Sequence, residues 1–135
     1  MSKPIPPVMK YMSTIPHTMG SEQTIAAASQ MMAEHGIRHL PVLREDKLAG
    51  ILSSRDVALI ETLTGVDPEV VTVGDAMSPA PYVTSPNAPV DAVCVEMAEH
   101  KYGAAVVSDN GKVVGVFTTV DVCRALAELF TTRLK

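Results

Sequence analysis

Along the chain the spacing of apolar positions switches between helical and strand periods, and the switch happens twice in the same order. Over 24–35 (TIAAASQMMAEH) apolar residues recur three and four positions apart, which predicts an amphipathic helix. RHLPVL and KLAGIL follow as two short strands around the polar turn REDK, and a second helical pattern covers 54–63. The succession then returns. A helix is predicted over 89–100, with Pro89 suited to its first turn, then strands in AAVVS and KVVGVF around the Asn-Gly turn of DNGK, then a helix over 119–134. A short extended piece, PHTM or PYVT, precedes each first helix. The predicted order is β-α-β-β-α, twice, in an α+β fold.

The repetition is also literal. Sliding the chain by 65 positions without a gap pairs Met12-Ser13 with Met77-Ser78, Pro16 with Pro81, and Met32–His35 with Met97–His100. It also pairs Gly50 with Gly115 and Asp56-Val57 with Asp121-Val122. The sequence therefore divides into a first repeat over 8–63, a linker over 64–72 and a second repeat over 73–132. A unit of about 60 residues is marginal alone, so the two repeats are expected to pack together as a pseudo-twofold pair. In VDVCRALAELF the apolar residues Val122, Cys123, Ala125, Leu126, Leu129 and Phe130 exceed one buried face, which predicts a homodimer built through helices.

Composition narrows the function. With 135 residues, 47% hydrophobic, 19% charged and no tryptophan, the chain reads as one small globule. A net charge of -4 offers no attraction to nucleic acid or to an anionic membrane. The prolines of MSKPIPPVMKYMS interrupt any signal-like run, and no apolar stretch reaches membrane-spanning length, so a cytoplasmic protein is expected. Cys94 and Cys123 fall in helical patterns without CxxC spacing and are expected to be buried, reduced core residues. There is no nucleophile with a base at recognisable spacing, no carboxylate pair and no P-loop, and Gly36 separates His35 from His39. The expectation is a protein that is not an enzyme and requires no metal or cofactor.

One motif remains, G-x-x-[ST]-x-x-D, present as Gly50, Ser53, Asp56 and as Gly115, Thr118, Asp121. Its plainer reading is a capping box, the hydroxyl and the acid satisfying each other's backbone N–H groups. Three features add a ligand reading. The hydroxyls end a strand and open a helix, where free N–H groups suit phosphate. An aspartate there can accept from two ribose hydroxyls, and the glycine permits close backbone approach.

With Met-Ser leading each copy and IRHLPVL in the first, these motifs resemble a tandem of cystathionine-β-synthase (CBS) domains, a Bateman module, over about 8–130. The resemblance implies a regulatory module whose clefts between the repeats bind AMP, ADP, ATP or S-adenosylmethionine. It implies that Asp56 and Asp121 hold ribose, that Ser53 and Thr118 face phosphate, and that Ile15, Pro16, His17, Pro81 and Tyr82 line adenine pockets. It further implies phosphate-binding cations at Arg38, His39 and Arg55, where the second copy has Gly103, Ala104 and Val120. His17 and Tyr82 would sit at the pocket lips, while His35 and His100 would complement helix C-termini. The output would pass to an unidentified target protein in trans. The alternative is a dimerisation scaffold without a functional nucleotide site.

Overall fold

In the computed structural model, which describes residues 4–14 and 17–133, both polar turns close two-residue hairpins. Glu45 and Asp46 have φ of 53° and 64°, and Asn110 and Gly111 have 52° and 81°. Positive φ at both central positions matches the twist of the flanking strands. Asn-Gly reaches it at little cost, whereas Glu45 and Asp46 take it without any glycine. The chain forms two compact units, Pro16–Pro81, and Met1–Ile15 together with Tyr82–Lys135.

In the first of these units, β1 (Met19–Gly20) leads into α1 (Ile25–His35), β2 (His39–Arg44), β3 (Lys47–Ser53), α2 (Ser54–Thr62) and the short α3 (Val73–Ala76). The sheet order is β1-β2-β3, with β1 parallel to β2 and β2 antiparallel to β3. Thr24 caps α1 by accepting from Ala27 N at 3.1 Å, and Gly36 ends it in the left-handed region at φ 61°. Ile25, Ala28 and Met32 point from α1 into a core with Leu40, Val42, Leu52 and Val73. The spacing of three and four that predicted the helix is thus the spacing of its buried side chains.

The other unit repeats this plan with β4 (Val83–Thr84), α4 (Val90–His100), β5 (Ala104–Asp109), β6 (Lys112–Thr118) and α5 (Thr119–Glu128). Its sheet order is β4-β5-β6, again parallel then antiparallel. Phe117, Val93, Met97, Ala105 and Val107 form its core. The fold is α+β, with two β-α-β-β-α repeats.

The leading segments are exchanged between the sequence repeats, so that each compact unit holds the leader of the other repeat. Val8, at the start of the chain, is fully buried among the core residues of the second repeat, and its N–H donates to Ala88 O at 2.8 Å. Ser13 bridges to Val116 of β6. In the same way Val73 N donates to Gln23 O at 2.7 Å and Ser78 bridges to Ile51 of β3. Each leader also supplies a carbonyl to the first N–H of a helix: Val71 O accepts from Ile25 N at 3.0 Å, and Pro6 O accepts from Val90 N at 2.9 Å. The segment over 64–72, expected as a linker, therefore carries part of the cap of α1.

Several expected boundaries and burials move. Pro89 caps α4 from outside its first turn, with ψ of 133°. The last helix is α5 to Glu128, continued by a π-helical turn over Leu129–Arg133. Neither cysteine is the buried core residue expected: Cys94 is half-buried, packing against the core of its unit, and Cys123 is exposed, on the face of α5 turned away from the sheet. Burial pushes the Cys94 thiol up, with Asp91 adding to it. Among the described residues no helix is long and apolar enough to cross a membrane.

Candidate functional site

Strand directions gather the motif residues at one end of each sheet. Because β3 returns antiparallel to β2, the start of β2 lies beside the end of β3, and β1 enters the sheet from the same end. His39 pairs directly with Ser53, and Arg38 O accepts from Ser54 N at 2.8 Å, tying the entry of β2 to the first turn of α2. Arg38, His39, Ser53, Arg55 and Asp56 are thereby brought together around a helix N-terminus. Ile15 and Pro16 lie outside the described residues.

The capping box is present in both copies. Ser53 Oγ accepts from Asp56 N at 3.1 Å, and Asp56 Oδ2 accepts from Ser53 N at 2.9 Å. Thr118 N donates to Asp121 Oδ2 at 2.9 Å, and Thr118 Oγ1 accepts from Asp121 N at 3.4 Å. Beyond the box the copies diverge. In the second, the Thr118 hydroxyl donates to Asp121 Oδ2 at 3.2 Å and Arg124 Nη1 donates to Asp121 Oδ1 at 3.2 Å. In the first, neither the Ser53 hydroxyl proton nor Asp56 Oδ1 has a protein partner among the described residues. Asp56 is half-buried, while Asp121 is only 2% exposed.

The electrostatics follow the same division. Burial lowers the His39 pKa below its usual value, Asp56 opposes the shift, and Arg38 adds to it. His39 is thus a half-buried ring that feels both the acid and the guanidinium of the strand-end group. The second copy has Gly103, Ala104 and Val120 at the corresponding positions, and Arg124, exposed by 72% at its side chain, is the cation beside Asp121.

The two aromatic positions turn toward their own units. His17 stacks on His35 with ring centroids 3.8 Å apart and planes 16° apart. Tyr82 stacks on Tyr102 at 5.3 Å, and Tyr102 stacks on His100 at 5.2 Å. Burial pushes the Tyr82 hydroxyl pKa up, with the charge of Glu96 next in effect. Pro81 is half-buried at the end of the first unit.

The repeated glycines serve packing. A Cβ at Gly50 would lie 2.5 Å from Ser78 O and 2.6 Å from Met77 Sδ. At Gly115 it would lie 2.6 Å from Met12 Sδ and 2.7 Å from Ser13 O. The close approach expected of them is real, and what approaches is the Met-Ser leader. Two features were missed in the sequence. The i, i+3 acid–arginine spacing of Asp121 and Arg124 was a readable signal. Glu96, Glu99 and His100, whose ligand atoms lie within 4.8 Å of one another at the C-terminal end of α4, include an i, i+4 pair, Glu96 to His100 at 3.0 Å.

Known proteins share the sequence pattern and the fold. Hypoxic response protein 1 of Mycobacterium tuberculosis is 32% identical over 111 residues, covering 82% of this chain and 78% of its own. L-aspartate semialdehyde sulfurtransferase of Methanocaldococcus jannaschii is 32% identical over 126 residues, which are 92% of this chain but 24% of that enzyme. A solved CBS domain pair in complex with 5′-methylthioadenosine and S-adenosyl-L-methionine matches with a TM-score of 0.83 at 29% identity, covering 92% of this chain and 98% of the other. The CBS domain pattern itself matches residues 8–60 and 73–128. Those two matches coincide with the two copies of the strand-end motif, and the chain belongs to the CBS domain family, carrying the domain twice.

Proposed function

We propose that the chain is a non-catalytic regulatory module whose first repeat binds an adenosine-containing ligand bearing phosphate. The observation that carries the reading is the unspent hydrogen-bonding capacity at one sheet end: Asp56 Oδ1 and the Ser53 hydroxyl have no protein partner among the described residues, with Arg38, His39 and Arg55 around them. A carboxylate oxygen accepts from ribose hydroxyls. A free hydroxyl, a helix N-terminus and guanidinium groups donate to phosphate. The solved CBS pair with S-adenosyl-L-methionine supports the adenosine part, and the cations of the first repeat favour AMP, ADP or ATP over that sulfonium.

Ligand binding would act by favouring one conformation over another, with the response read by a target protein in the cytoplasm. In the sulfurtransferase the matching stretch is 24% of the length, so there the module accompanies a much larger protein. Self-association belongs to the same reading. Val120, Leu126 and Phe130 expose 50%, 51% and 58% of their surface along α5 and the turn after it, beside the exposed Cys123. A second copy of the chain would cover this face.

Isothermal titration of the purified chain with AMP and adenosine, using Asp56→Asn, tests the reading. Asn keeps one oxygen for the cap but loses the second acceptor, so AMP affinity is expected to fall by about tenfold or more, while the unfolding midpoint stays close to wild type. Equal affinity in the variant would remove Asp56 from the site. No binding by the wild type would leave assembly through α5 as the function.

A further inference from the structure

The two strand-end groups are built on one plan yet differ in what their polar atoms are doing. In the second repeat the Thr118 hydroxyl is committed to Asp121 Oδ2, and the remaining oxygen, Oδ1, accepts from Arg124. Asp121 is also 2% exposed, so a ligand has little direct access to it. In the first repeat the corresponding hydroxyl and oxygen have no described protein partner, and position 59, the counterpart of Arg124 at the 65-residue shift, is Leu59, which cannot donate. The difference is one of residue identity on the first two turns of α2 and α5.

We propose that Arg124 is a specificity-determining residue that closes the second repeat's nucleoside position, so that each chain takes one nucleoside phosphate, in the first repeat. This rests on the reading given above for Asp56. Arg124 supplies to Asp121 Oδ1 the hydrogen bond that a ribose hydroxyl would otherwise give. A ribose must displace a charged donor to bind, and a hydroxyl is the weaker donor to a carboxylate. Arg124 is largely exposed while Asp121 is buried, so the solvent-screened block is modest in energy and is released by removing the one exposed side chain. Once released, the second position has no cation at Gly103, Ala104 or Val120. It is then suited to an uncharged nucleoside and gains nothing from phosphate.

Titration calorimetry on the full chain with adenosine and with AMP tests this in the wild type, Arg124→Ala, Asp56→Asn and the double variant. The wild type is expected to bind one equivalent per chain, with AMP preferred over adenosine by about tenfold. Arg124→Ala is expected to bind a second equivalent, with adenosine and AMP alike at the new position, and the double variant is expected to keep only that second event. Arg124→Met, which keeps the stem and loses the donors, should behave as Arg124→Ala. Two equivalents in the wild type, or one in both wild type and Arg124 variants, would overturn the role of Arg124 while leaving the first site standing. No binding in any form would overturn the first-repeat reading and this inference together.

Discussion

A methyl group at Gly50 would meet a backbone carbonyl, Ser78 O, at 2.5 Å, and backbone is the neighbour least able to yield. Gly50→Ala is therefore expected to destabilise the fold by about 1–3 kcal/mol, read as a lower midpoint in urea unfolding; an unchanged midpoint would mean the leader is not seated there. The glycine was legible as a position of close approach, but its partner was not, because nothing local to GILSSRD names a Met-Ser segment 27 positions further on. The capping boxes were fully legible, since hydroxyl and acid at a spacing of three meet through local geometry alone. The stacking of His17 on His35 was not, because it depends on how the start of β1 passes the end of α1. Likewise Cys123 reads as apolar-helix core until the sheet fixes which face of α5 is turned inward.

Among the elements, the strands, hairpins and helices follow from period and turn chemistry, whereas the exchange of leaders does not. Both leaders carry Met-Ser and both acceptor strands carry the glycine, so the sequence is equally consistent with a leader seated on its own repeat. The structure seats each on the other: Val8 in the core with Phe117, and Val73 in the core with Leu52. Val8→Ala is expected to cost about 2 kcal/mol and to lower amide exchange protection in β5 and β6 more than in β2 and β3. Greater loss in β2 and β3 would contradict the exchange. The same exchange explains why 64–72 carries backbone hydrogen bonds into α1, through Pro68 O to Ala26 N at 2.9 Å and Val71 O to Ile25 N.

For the molecule as a whole, the two repeats are alike in fold and unlike in chemistry. Shared positions build the cores, the hairpins and the caps; unshared ones, Arg38, His39 and Arg55 in one copy and Arg124 in the other, are the residues to which the proposals above assign the difference in ligand binding. The proposed self-association through the exposed apolar residues of α5 belongs to this scale. Sedimentation should give about twice the 14.4 kDa chain mass for the wild type and the single-chain mass for Leu126→Asp, since a charge in an apolar contact is costly. A wild type that sediments as a single chain would remove α5 as an interface. The central claim concerns the first repeat, and amide nitrogen–proton spectra recorded while AMP is added locate the ligand directly. Saturable shifts at Arg38, His39, Ser53, Ser54, Arg55 and Asp56, with Gly103, Thr118 and Asp121 unmoved, are the predicted result. Shifts confined to the second repeat, or none at saturating AMP, would contradict it.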